Sequence, residues 1–355
     1  MADHTHIEWA DATYNPITGC SVVSPGCTNC YAMRLAGGRL QHHPSRAGLT
    51  APSKAGPVWT GEVRLNEEWL DQPLRWKRPR RIFVCAHGDL FHESVPDAWI
   101  DRVFAVMALA PQHVFQVLTK RAARMRGYMA GRAGKLARFM VDEYLISAPD
   151  TARSNRAIFA AWPVQSIGHP DDPDDIIMAR WPLPNVWLGV SAEDQARADE
   201  RISDLLATPA AVRFVSLEPL IGPINLVKAK GIAWNPGGAI NDGGGQMDYI
   251  EPHLSGVLHW VIAGGESGPG ARPIHPDWVR QIRDDCAAAG VPFFFKQWGA
   301  HHPHGQVMAD GSINALGNPD DPRWTRFSKE TTWLVGKTAA GRLLDGVEHN
   351  GIPGR

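Results

Sequence analysis

Cys20, Cys27 and Cys30 lie close together in Gly19-Cys20-Ser21-Val22-Val23-Ser24-Pro25-Gly26-Cys27-Thr28-Asn29-Cys30-Tyr31, a Cys-x6-Cys-x2-Cys spacing. Three thiolates on a Gly- and Pro-bearing loop can hold three irons of a [4Fe–4S] cube and leave the fourth iron open for chemistry. The same sulfurs also suit zinc, which usually takes four protein ligands, with His42, His43 or another histidine as a fourth. Spacing alone leaves both open. Cys85 and Cys286 stand apart, in strand-like and helix-like patterns, and five cysteines in 355 residues make no disulfide framework. The N-terminal residues lack the basic flank and apolar centre of a secretory signal, and no uncharged apolar run reaches membrane-spanning length. A reducing, cytoplasmic setting without membrane association is therefore expected.

The elements that must position these thiols are short. Strands are predicted at 81–86, 114–118, 186–190, 212–217, 258–263 and 291–295, each a continuous apolar run of the kind buried on both faces of a parallel sheet. Helices fall between them. One is predicted from about Pro96, capped by Ser94, with Trp99, Ile100, Val103, Phe104 and Met107 on one face. Others are predicted over 194–207 and 276–289, the latter stopping at Gly290 with Pro292 beyond. Strand and helix in alternation is the grammar of an α/β barrel or an open doubly wound sheet. Residues 131–182 are polar and read as an insertion, 235–246 as a flexible Gly-rich loop, and the chain after about Gly299 as an irregular surface tail.

The cysteine loop, with the strand–helix alternation after it, resembles the radical S-adenosylmethionine (SAM) superfamily, and within it the spore photoproduct lyases. Ile7-Glu8-Trp9, Asn15-Pro16-Ile17-Thr18-Gly19-Cys20, Gly88-Asp89-Leu90-Phe91-His92, Leu118-Thr119-Lys120-Arg121 and Phe293-Phe294-Phe295-Lys296-Gln297-Trp298-Gly299 further resemble a phage-associated three-cysteine family of that kind. The resemblance covers roughly residues 5 to 300. Its first cysteine gap is longer than the superfamily's usual Cys-x3-Cys-x2-Cys, and Asn29 stands where an aromatic residue commonly precedes the last cysteine.

The resemblance implies a partial (β/α)6-7 TIM-like barrel over 1–300 with a C-terminal extension over 301–355. It implies a [4Fe–4S] cluster on Cys20, Cys27 and Cys30, SAM as second cofactor, and an external electron donor. Gly88 and Asp89 match the turn that meets the SAM ammonium, and Lys120 the lysine that reaches its carboxylate. Ser191 and Glu193 stand where the ribose is bound, and Glu218 and Glu266 end the next two strands as SAM or substrate contacts. Each has a plainer reading as a turn, cap or solvated residue. Cys85 is a catalytic candidate, because photoproduct lyases use a thiol hydrogen donor near this turn. It falls one residue from the matching position, which on a strand reverses the facing and favours the core.

A net charge of −1, from 36 Lys+Arg against 37 Asp+Glu, excludes a generic polycation. Any nucleic-acid contact must then be local, and Lys120–Arg138, with seven basic residues and no acidic one, is the stretch for it. The reading from these observations is a radical-SAM-like enzyme acting on a DNA or RNA lesion or modified base. Two other readings are a non-catalytic zinc or iron–sulfur protein acting with a partner, and a nucleotide-binding enzyme using Gly264-Gly265-Glu266-Ser267-Gly268-Pro269-Gly270. That segment lacks the Lys-Ser/Thr of a P-loop.

Overall fold

A computed structural model describes residues 5, 7–132, 165–167, 176–178, 181–229, 254, 256–315 and 320–354. Its main sheet has seven parallel strands, β1 (Ala12–Tyr14), β2 (Arg81–Val84), β3 (Val114–Thr119), β4 (Val186–Ser191), β5 (Val212–Leu217), β6 (Trp260–Gly264) and β7 (Phe293–Gln297), adjacent in that order. Strands that neighbour one another in chain order, without reversal, follow the succession of a (β/α) barrel rather than a doubly wound sheet, which turns back at a switch point. All six predicted strands are present, with ends moved by at most two residues.

Contacts divide the chain into two compact units. The first comprises Met1–Val22, Ala32–Gly189 and Ala207–Val212, and the second Val23–Tyr31, Val190–Leu206 and Arg213–Arg355. In the first, β1 pairs with β2 and β2 with β3, in the registers Tyr14 to Val84 and Val84 to Val117. Ala12, Tyr14, Ile82, Val84, Phe115 and Val117 are all fully buried. The helices of this unit include α1 (Tyr31–Ala36, its first residue in the second unit), α2 (Asp97–Leu109) and α3 (Ala122–Ala130). Pro96, not Ser94, occupies the N-cap of α2, and no side chain caps it. The fixed φ of proline and Asp97 in the first turn start this helix without a hydroxyl cap.

In the second unit β6 lies between β5 and β7, with a bulge between Ala263 and Gly264. Two further helices, α4 (Gln195–Leu206) and α5 (Pro276–Ala288), bury Ala198, Ile202 and Leu205, and Val279, Ile282 and Cys286. His275 caps α5 by accepting the Asp277 N–H.

The tail differs from expectation. His301–Pro303, Thr331–Leu334 and Trp324–Arg326 form an antiparallel sheet in that order, and Trp324 stacks on Trp333 at 5.0 Å. His301 and His302 are buried, contrary to the reading of the stretch after Gly299 as a surface tail. Farther on, Phe295 N–H donates to His349 O and Gly351 N–H to Phe293 O, so the end of the chain pairs with β7. These strands are three or four residues long and carry few apolar residues, which leaves little pattern to read.

The insertion lies largely outside the described residues, of which 165–167 and 176–178 form an antiparallel pair. The segment 235–246 lies outside them altogether. Among the described residues no helix is long and apolar enough to cross a membrane.

Gly265 shows how closely β6 and the end of β7 approach, since a Cβ there would lie 1.9 Å from Trp298 O. Gly265→Ala is expected to destabilise the protein by about 2 kcal/mol or more through overpacking. Gly127→Ala, in open space within α3, is expected to stabilise by up to about 1 kcal/mol. Urea denaturation midpoints of the two variants check both signs.

Candidate functional site

Cys20 belongs to the first unit, and Cys27 and Cys30 to the second. All three are half-buried free thiols, whereas Cys85 and Cys286 are buried. Burial pushes the Cys85 and Cys286 thiols up to about 12. Cys85 therefore sits in the core, in the left-handed region at φ 55°.

In the first unit the approach to Cys20 is set by Gly19, at φ 95°. A side chain there would put its Cβ 2.1 Å from Glu62 O, so both conformation and space call for glycine. Gly19 bridges to Gly88, and its N–H donates to His87 O. Just beyond Gly88, Asp89 is buried and ionically paired. Its carboxylate accepts from Thr119 Oγ1 at 2.7 and 2.9 Å, Phe91 N–H at 3.0 Å, Lys120 N–H at 3.3 Å and Arg121 Nη1 at 3.0 Å.

Arg121 continues from Asp89 to the cysteine. Its Nη1 reaches Cys20 Sγ at 3.3 Å, its Nη2 donates to Ser21 Oγ at 2.7 Å and Ser21 O at 3.3 Å, and its Nε donates to Glu93. Burial by itself would lower the guanidinium's pKa, but Asp89, Cys20 and Glu93 outweigh it and raise it. His92 accepts the Ser94 N–H on Nδ1, which places its proton on Nε2, 2.9 Å from Ser21 Oγ. Burial, aided by the Arg121 charge, lowers the imidazole pKa and keeps it neutral near pH 7.

The second unit holds the Cys27–Cys30 turn with carboxylates. Pro25–Cys27 is a 3-10 turn, and the Cys30 N–H donates to Cys27 O. Glu193, fully buried after β4, accepts Gly26 N–H at 3.1 Å and Arg201 Nη1 at 3.1 Å; that same Nη1 donates to Ser191 O at 2.7 Å. Glu266, after β6, accepts Asn29 Nδ2 at 2.9 Å and the Arg272 guanidinium at 2.6 and 2.9 Å. Asn29 also donates to Gly270 O and so ties the loop from two sides. Burial alone would raise the Glu266 carboxyl, but the bonds from Arg272 and Asn29 outweigh it and hold it below the usual glutamate range.

Glu218 pairs with Lys296 at 3.0 Å and takes a bond from Ser216 Oγ, while Ser191 Oγ donates to Glu218 O. The acids nominated as SAM or substrate contacts are thus engaged with neighbouring side chains in their own units. In the Gly-rich segment the Gly265 N–H donates to Gln297 O.

Much of the described part of Lys120–Arg138 is also paired. Arg124 meets Asp97, and Arg132 meets Asp97 and Asp101 and lies over the Tyr128 ring. These two arginines are paired with carboxylates of α2. Residues 133–138 lie outside the described residues. Among the described residues no group of three or more His, Cys, Asp or Glu side chains is disposed to hold a metal ion.

Arg121, Ser21 and Arg201 are residues of the site that sequence reasoning missed. Arg121 stands beside Lys120 in the quoted motif, but a basic run reads first as a solvated face.

By fold this is a mixed α/β protein built on parallel strands in sequential order. Over residues 4–353 the chain matches the family described as "Protein of unknown function (DUF5131)", and it belongs to that family. No curated protein and no solved structure matches it.

Glu193→Ala is expected to cost about 3–5 kcal/mol, because it strands the buried Arg201 guanidinium; chemical denaturation measures this. The contribution of ionised Glu266 is complete above the ordinary glutamate value of about 4.3 and is lost as pH falls through its lower folded value. Stability of the wild type should therefore fall more steeply below about pH 4 than that of Glu266→Gln, as read from urea midpoints across the acid range.

Proposed function

We propose that this protein is a radical-SAM-like iron–sulfur enzyme, with Cys20, Cys27 and Cys30 as ligands of a [4Fe–4S] cluster. The observation that carries the reading is the Arg121 guanidinium at Cys20 Sγ, at the head of a Cys-x6-Cys-x2-Cys loop. A buried cation directed at a sulfur fits a ligand that must be a thiolate. Anchoring of the same loop by Glu193 and Glu266 fits a segment that must keep its shape while presenting half-exposed thiols.

When bound, the cluster and SAM supply one-electron reductive cleavage to a 5′-deoxyadenosyl radical. The protein's share is to bind, orient and exclude water. Lys120 is assigned to the SAM carboxylate and Gly88 to the backbone turn beside it, both in keeping with the family resemblance. Asp89 acts at one remove, by fixing Thr119 and Arg121. A nucleic-acid lesion or modified base as substrate, an external electron donor and a cytoplasmic location complete the reading. They rest on the resemblance and the sequence.

Anaerobic reconstitution with iron and sulfide should give a brown protein with about four irons per chain. Dithionite and SAM should then yield 5′-deoxyadenosine, and Cys20→Ala, Cys27→Ala and Cys30→Ala should each abolish it. A colourless protein holding one zinc and no sulfide would overturn the proposal.

A further inference from the structure

We infer that Arg121 is a positioning residue that sets the reduction potential of the cluster through its bond to Cys20 Sγ; this rests on the cluster reading above. Three features of the geometry carry it. First, the guanidinium is buried, with 5% of its side chain exposed, and lies 3.3 Å from the sulfur. A hydrogen bond from a cation to a ligand sulfur acts more strongly there than in water. Second, the fork is held from several sides. Asp89 and Glu93 take Nη1 and Nε, and the hydroxyl and carbonyl of Ser21, next to the cysteine, take Nη2. A lysine has no planar fork to satisfy these acceptors together.

Third, the anchor is itself anchored. Asp89 is fixed by Thr119 Oγ1 and by the N–H groups of Phe91 and Lys120, and so provides a rigid counter-charge at the end of β3. Its negative charge keeps the arginine in place beside the cysteine. Carboxylate, guanidinium and sulfur form a continuous chain, within one unit, from a strand end to the first cysteine.

Reduction adds one electron and makes the cluster more negative. A donor directed at a ligand sulfur stabilises that state more than the oxidised one, so Arg121 raises the potential. Removing the guanidinium should make reduction harder without removing a ligand. Its neighbours allow a graded test. Ser21→Ala deletes one acceptor of the fork and leaves both the charge and all three cysteines in place.

The experiment is a redox titration of anaerobically reconstituted wild type, Arg121→Met, Arg121→Lys and Ser21→Ala, followed by the EPR signal of the reduced cluster. Iron and sulfide content are measured alongside. The expected result is equal cluster content, a midpoint displaced to more negative potential in Arg121→Met, and smaller displacements of the same sign in Arg121→Lys and Ser21→Ala. Equal midpoints in all variants that assemble a cluster would overturn the inference while leaving the cluster reading intact. Should Arg121→Met not fold, Arg121→Lys and Ser21→Ala decide in the same way. A wild type that takes up no iron and sulfide would overturn the cluster reading, and the inference with it.

Discussion

A carboxylate taken out of water must find positive charge and hydrogen-bond donors, or it will not stay ionised. Asp89, Glu193 and Glu266 meet that demand in the same way. Each lies in a strand-end loop, each is buried, and each is matched by an arginine in its own unit, Arg121, Arg201 and Arg272 respectively. Arginine suits the task because its planar fork can serve several acceptors at once. For Glu193 and Glu266 a further donor comes from the cysteine-bearing stretch, Gly26 N–H and Asn29 Nδ2, whereas Asp89 takes its others from Thr119, Phe91 and Lys120. The loop that carries the thiols has few apolar residues to bury, and its shape is defined by these charges.

This arrangement changes what the acids are for. Read along the chain, acids at successive strand ends look like groups awaiting a ligand. With partners identified, Glu193 holds the backbone at Gly26 and Glu266 holds the side chain of Asn29. Asn29 supplies the second half of that contact. In the structure these two acids hold the thiol-bearing loop in its shape.

The strands were legible because burial on both faces writes a continuous apolar run, as in Val186-Trp187-Leu188-Gly189-Val190. β1 was not, since Ala12-Thr13-Tyr14 is too short to show a period. The tail's small sheet was missed for the same reason. The clustering of the three cysteines was visible from spacing alone, which is local. Arg121 was not, because what distinguishes it from its basic neighbours is a partner 101 residues away in sequence. A run of basic residues says nothing about which one turns inward. The Arg124 and Arg132 pairings with Asp97 and Asp101 were hidden likewise, with the acids on α2 and the bases on α3 and just beyond it.

The pairing of His349–Gly351 with β7 has a bearing on how the molecule comes into being. An outer strand with unpaired N–H and C=O groups is a template for other chains. Here Phe293 and Phe295 present such a row, and the residues that satisfy it are made long after the strand itself. During synthesis the aromatic margin of the sheet is complete in sequence but still open, and it closes only when residues 349–351 emerge and fold back. Trp260 Nε1 and Trp298 Nε1, which donate to Gly351 O and Leu343 O, secure that late closure from beneath.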